Sequence, residues 1–238
     1  DLNTIFNENI TTHTGTVTIN NTAVYDIAKL KVINAGTTGA ITLNDTTIAL
    51  SGDATELAAA LDGSINHTGQ VTVTDNAYTV AELKSIAEGT SGAITLSSAG
   101  VALSGDASDL KTIFDENITT HTGQVTVTDG SYTVAELVAI AGGTSGAITL
   151  NDTTVALSGS VTDLNTIFNE NITTHTGAVT VSDAAAYDIP KLKVINAGTN
   201  GAITLSDTTV ALSGDATDLA LALAGDINHT GAVTVTDS

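Results

Sequence analysis

Short stretches recur along the chain in which Val or Ile faces one way and Thr faces the other. In VTVTD, Val71 and Val73 share one side while Thr72 and Thr74 share the opposite side, the two-residue period of a half-buried strand. Ile94 and Leu96 alternate with Thr95 and Ser97 in the same way. Between these stretches the spacing becomes helical, with Leu83 and Ile86, or Leu30 and Ile33, on one face of a short segment. Thr79-Val-Ala-Glu82 and Thr133-Val-Ala-Glu136 match the capping box that opens a helix. Asp26 and Asp188 replace that Thr in the other copies, and Pro190 falls in a first turn that needs no N–H. Gly36, Gly89, Gly143 and Gly198 are expected to end these helices as left-handed caps. A second set of helices follows Asp53, Asp106 and Asp215 and carries Leu57 with Leu61, Leu110 with Ile113 and Phe114, and Leu219 with Leu223. At about two turns, none of these helices persists alone in water; packing on the strands must hold them.

The pattern is periodic. His13, His67, His121, His175 and His229 stand 54 residues apart, each in His-Thr-Gly. Tyr25, Tyr78, Tyr132 and Tyr187 keep the same rhythm, as do Gly39, Gly92, Gly146 and Gly201 at the head of GAITL. Residues 1–76 match residues 163–238, a shift of 162, or three units of 54, and DLNTIFNENITTHTG occurs verbatim in both. Within a unit, TGxVTVxD resembles GAITLxD, so the repeat divides into two related halves of roughly 30 and 24 residues, each reading as a strand, a turn, a second short extended piece and a short helix. One strand and one short helix cannot bury an apolar face alone, but stacked copies can. The expected fold is therefore a repeat solenoid, β-helix-like, of parallel β-strands alternating with short helices. It is expected to run through residues 1–238 as one continuous segment, an internal fragment of a longer array with period 54 and higher-order period 162.

Composition narrows the picture. Hydrophobic residues make up 42%, enough for a continuous core, yet aromatics are only 3% and Trp, Met and Cys are absent. The core must be thin layers of Val, Ile, Leu and Ala. Six Lys and no Arg against 26 acidic residues leave a net charge of -20, which excludes nucleic acid as a partner because phosphates require clustered Lys or Arg. The same charge repels an anionic membrane surface, and no apolar run approaches the ~18 residues of a membrane-inserted helix. Without Cys there is no disulfide, Cys-ligated zinc or thiol nucleophile, a profile that fits a bacterial or archaeal exported protein.

GAITLSDTTVALSGDATDLALALAG and the YTVAELKSIAEGTS element resemble the Thr/Ala/Asp-rich tandem repeats of giant secreted surface proteins and adhesins of bacteria, marine cyanobacteria among them. The resemblance covers the whole chain and implies an extracellular, cell-surface β-solenoid with adhesive or matrix roles. The calcium-binding nonapeptide GGxGxDxUx of many such proteins is missing, since Gly142-Gly143 is the single GG pair and lacks an Asp at the required spacing.

Several columns are candidates for chemistry. Asp75, Asp129, Asp183 and Asp237 end the VTV strands, and Asp45, Asp152 and Asp207 end the ITL strands. Each is a turn former accepting a backbone N–H, or part of a stacked carboxylate set for calcium, the one candidate cofactor. The histidines read as polar loop residues, too widely spaced to share one metal ion. Thr18, Thr72, Thr126, Thr180 and Thr234, with Thr42, Thr95, Thr149 and Thr204, form a candidate outward ladder, a binding face or simply good solvent-facing strand residues. Asn9, Asn66, Asn117, Asn171 and Asn228 begin Asn-x-Thr sequons. A catalytic role finds no support, because every Ser, Asp or His candidate recurs in each repeat, whereas enzymes concentrate chemistry in one asymmetric pocket. The expected function is an acidic rod or filament in a surface layer, matrix fibre or adhesin stalk, contacting neighbouring repeats or copies of itself. The alternative is a binding module using the Thr or acidic face for calcium-dependent adhesion or ice.

Overall fold

The computed structural model describes residues 2–8, 10, 12–20, 23–63, 65–115, 117–118, 120–169, 172, 174–184, 186–225 and 227–237. Two compact units divide the chain, residues 1–104 with 109–123, and residues 105–108 with 124–238. The elements follow one another as α1 (Leu2–Glu8), β1 (Val17–Ile19), α2 (Ile27–Ala35), β2 (Ile41–Leu43), β3 (Leu50–Gly52), α3 (Ala54–Leu61), β4 (Val71–Val73), α4 (Val80–Gly89) and β5 (Ile94–Leu96). Next come β6 (Leu103–Gly105), α5 (Ala107–Asp115), β7 (Val125–Val127), α6 (Val134–Gly143), β8 (Ile148–Leu150), β9 (Leu157–Gly159) and α7 (Val161–Asn169). The last are β10 (Val179–Val181), α8 (Ile189–Gly198), β11 (Ile203–Leu205), β12 (Leu212–Gly214), α9 (Ala216–Ala222) and β13 (Val233–Val235). This is a repeated α/β fold of very short parallel strands and short helices.

In the first unit β1 pairs with β2, and β3, β4 and β5 form one sheet in the order β3-β4-β5. In the second, β7 pairs with β8, β9-β10-β11 repeats the three-stranded order, and β12 pairs with β13. Every pairing is parallel, with Val71 between Leu50 and Ile94, and Val179 between Leu157 and Ile203. The repeat thus contributes three strands: the VTV and ITL strands that the alternation predicts, and Leu-Ser-Gly, which is the second short extended piece expected before the helix in the ITL half. Leu-Ser-Gly pairs as a strand because Val71 or Val179 lies beside it.

Inward positions are closed tightly. Val71, Val73, Val125, Val127, Val179 and Val181 are fully buried, as are Leu83, Ile86, Ile140 and Ile195 on the helices. The capping boxes of α4 and α6 form as predicted, with Thr79 and Thr133 as N-caps, and Asp26, Asp53, Asp188 and Asp215 each accept from the third helical N–H. The helix-ending glycines correct the sequence reading. Gly36 is right-handed (φ -89°, ψ -4°), and α4, α6 and α8 pass from Gly89, Gly143 and Gly198 directly into an extended Thr. Among the described residues, the glycines with positive φ are Gly63 and Gly225. Close approach explains most of the helix-ending column: a Cβ on Gly89 would strike the Leu61 backbone, and on Gly36 or Gly198 the ring of Phe6 or Phe168.

Candidate functional site

The recurring polar residues form two kinds of surface, an outward hydroxyl ladder and inward columns that tie one half-unit to the next. On the ladder, Thr18 lies opposite Thr42, Thr72 between Ser51 and Thr95, Thr126 opposite Thr149, Thr180 between Ser158 and Thr204, and Thr234 opposite Ser213. These side chains are exposed or half-buried. The predicted Thr residues are thus brought into register, and the structure adds Ser51, Ser158 and Ser213, which the sequence reading missed. Their signal was present, since Leu-Ser-Gly recurs with Leu inward and Ser outward. The ladder is partly self-engaged: Gln70 and Gln124 each donate to the hydroxyls of Thr95 and Thr149 at 3.0 Å.

The histidines lie outside the named strands and helices, as expected of loop residues, but three of them are buried and carry cross-ties. His67, His121 and His175 are among the most buried groups, at 2%, 2% and 1% exposure. The Nε2 of His67 lies 2.9 Å from the carbonyl oxygen of Ile48, and Nδ1 lies 2.8 Å from Oγ1 of Thr90. A carbonyl only accepts, so Nε2 carries the proton and Nδ1 accepts from the threonine hydroxyl. The Thr90 oxygen in turn accepts from the Gly92 N–H at 3.0 Å. His175 repeats the bridge from the Val155 carbonyl to Thr199, each at 2.9 Å, and His121 reaches the Val101 carbonyl at 2.8 Å. Burial holds the imidazoles of all three below the ordinary histidine pKa, offset in part by the carbonyl bond. The rings of Phe114 and Phe168 lie tilted against those of His121 and His175, with ring centres 5.6 and 5.5 Å apart. Sequence reasoning missed the Thr partners, although Thr37, Thr90, Thr144 and Thr199 all stand two residues before the GAITL glycine.

The aspartates split into two groups. Asp45, Asp152 and Asp207 cap their own turns as expected: each accepts from the hydroxyl and the N–H of the Thr two residues on. Those hydroxyls hold the three carboxyls below the usual range. Asp75, Asp129, Asp183 and Asp237 instead reach back 21 or 22 residues and accept from the first N–H of a helix, at Ala54, Ala107, Val161 and Ala216. The helix dipole favours a carboxylate there. Among the described residues, no three His, Cys, Asp or Glu side chains converge into a metal-holding group.

Tyrosines complete the cross-ties. Tyr25, Tyr78, Tyr132 and Tyr187 are buried, and their hydroxyls donate to the carbonyls of Asp45, Ser98, Asp152 and Asp207. Burial pushes the hydroxyls of Tyr78 and Tyr132 up to about 12. Of the sequon residues, Asn66 and Asn228 are exposed, with Oδ1 of Asn66 accepting from the Leu43 N–H at 2.8 Å. Asn117 sits at φ 63° and donates Nδ2 to the Ser91 carbonyl. Asn9 and Asn171 lie outside the described residues. Among the described residues no helix is long and apolar enough to cross a membrane. Compared with protein families, curated proteins and solved structures, the chain matches none.

Proposed function

We propose that the chain is a structural repeat protein whose half-units stack as a β/α solenoid, serving outside the cell as a rod or filament in a surface layer, matrix fibre or adhesin stalk, with no catalytic role. One observation carries this reading: the recurring His and Tyr columns and one of the two Asp columns are spent on bonds between successive half-units. His67 joins Ile48 to Thr90, Tyr78 reaches Ser98, and Asp75 reaches Ala54. Groups consumed in this way hold copies together, and each repeat needs its own set. The acidic surface, at net charge -20, favours solubility and disfavours anionic surfaces. Electron microscopy of natively isolated material tests the reading. Filaments, or rods ending in other domains, support it; compact particles with no extended segment sink it.

A second reading, a binding module, is favoured by the register of the outward hydroxyls Ser51, Thr72 and Thr95, the first and last exposed and Thr72 half-buried. It predicts measurable thermal hysteresis in ice, or a melting temperature that falls when calcium is chelated. A chain inert in both assays leaves the hydroxyl ladder as solvent-facing strand surface.

A further inference from the structure

One internal repeat lacks a tie that the other three keep. Lys84 on α4 reaches Asp109 on α5 at 2.6 Å, Lys193 on α8 reaches Asp218 on α9 at 2.5 Å, and Lys31 on α2 lies 4.0 Å from Glu56 on α3. Each lysine directly follows a buried Leu of its helix, Leu83, Leu192 or Leu30, and each acid is the third residue of the next helix. The hydrogen bond to the carboxylate holds Lys84 and Lys193 above the ordinary lysine pKa. On α6 the residue after the buried Leu137 is Val138, while Asp163 keeps its place as the third residue of α7.

The exchange of Lys for Val leaves a cleft. Between α6 and α7 lies an opening of about 470 Å³ lined by Val134, Ala135, Val138, Ser158, Gly159 and Asp163, with mainly apolar walls. Val134 closes its floor, packing so tightly on Gly159 that a Cβ there would sit 2.9 Å away. Asp163 is exposed, whereas Asp109, Asp218 and Glu56, each beside a lysine, are half-buried. Its Oδ2 accepts from the Ser160 hydroxyl at 2.9 Å. Among the described residues no lysine lies within ion-pair distance of it.

We propose that this cleft takes a lysine side chain of a partner protein, its methylenes lying on Val134 and Val138 and its ammonium on Asp163. The other repeats supply the template, since in all three the acid at this place is matched by a lysine. Covering the two valines with the lysine stem adds to a surface ion pair that contributes little alone. A basic partner fits better than a second copy of this chain. Five of the six lysines are already in ion pairs, and copies at -20 each repel, whereas the same charge draws a basic surface in. The site stands whether or not the half-units build a filament.

The test is an amide NMR titration of the whole chain with Nα-acetyl-lysine N-methylamide, carried to about 50 mM because a single side chain binds in the millimolar range. Saturable shifts are expected at Val134, Val138 and Asp163, weakening as salt is added. Asp163→Asn is expected to loosen binding about fivefold. Val138→Lys supplies the ammonium from within and is expected to abolish binding without lowering the melting temperature. Lys84→Val is expected to open a second site, with new saturable shifts around Asp109. Absence of saturable shifts overturns the proposal, as do shifts spread evenly over every acidic helix or binding that survives Val138→Lys. Butylammonium binding where the capped lysine does not would assign the cleft to free aliphatic amines and overturn it too. So would dimerisation of the chain alone that Lys29→Ala removes, which would place a second copy there.

Discussion

Residues 54–73 and 216–235 run through the same elements, an Asp-capped helix, His-Thr-Gly and a VTV strand. Asp53 and Asp215 accept the third helical N–H at 2.8 Å in both. In the first segment Leu61, Val71 and Val73 are fully buried; in the second Leu223 is half-buried, and Val233 and Val235 are 46% and 57% exposed. His67 is held from both sides, by Ile48 and Thr90. His229 keeps the carbonyl side, at 2.7 Å from Val210, and is half-buried. Local sequence sets the caps and the strand, while burial comes from the next half-unit. An identical Val is therefore core in one copy and surface in another.

The sharpest way to break this comparison is one substitution made in both places. Val73→Asp buries an unpaired carboxylate and is expected to cost about 4 kcal/mol, whereas Val235→Asp is expected to cost less than about 0.5 kcal/mol. Urea unfolding midpoints decide it; equal losses would show that burial at β4 does not depend on β5. His67→Ala loses two buried hydrogen bonds and leaves a cavity, a loss of about 3 kcal/mol. At His229→Ala the expected loss is about 1 kcal/mol. Asp75→Ala removes a helix-start acceptor and is expected to cost about 1 kcal/mol, with Asp75→Asn recovering part of it.

The smallest expected effect is on pH. His67, His121 and His175 are held below their ordinary pKa in the folded chain. Their stabilisation is complete above the unfolded value near ~6.5 and shrinks as pH falls from there toward the folded values. The melting temperature should fall by about 3 °C over the first unit of acidification, and replacing all three by Gln should flatten that slope. A second loss follows in stronger acid. Asp45, Asp152 and Asp207 have lowered pKa values, and their contribution disappears as pH drops below about 4 through the folded values. A melting curve unchanged between neutral pH and the carboxylate range would contradict the buried-histidine clamp.

The ladder threonines and the helix starts were legible in the sequence because each rests on spacing within a few residues. Thr79 with Glu82 is a capping box whatever surrounds it, and Thr72 alternates with Val71 and Val73 in any context. Leu50-Ser51-Gly52 was legible as a short extended piece before a helix, but three residues carry too little pattern to show what it pairs with, and its parallel register beside Val71 came from the structure. The roles of His67 and Asp75 were hidden for a related reason. Their partners stand 19 to 23 residues away, and a period of 54 reveals which positions are equivalent without saying which way a side chain points.

The sequence by itself determined the repeat, the alternation of short strands with short helices, the caps and the acidic, cysteine-free surface, because all of these depend on composition or local spacing. Only the tertiary structure decided that the histidines are buried clamps, that one aspartate column caps helices a half-unit back, and that the helix-ending glycines in close contact serve packing instead of left-handed turns. Those properties arise where half-units touch, and a side chain's partner across that contact is set by the path of the backbone between them.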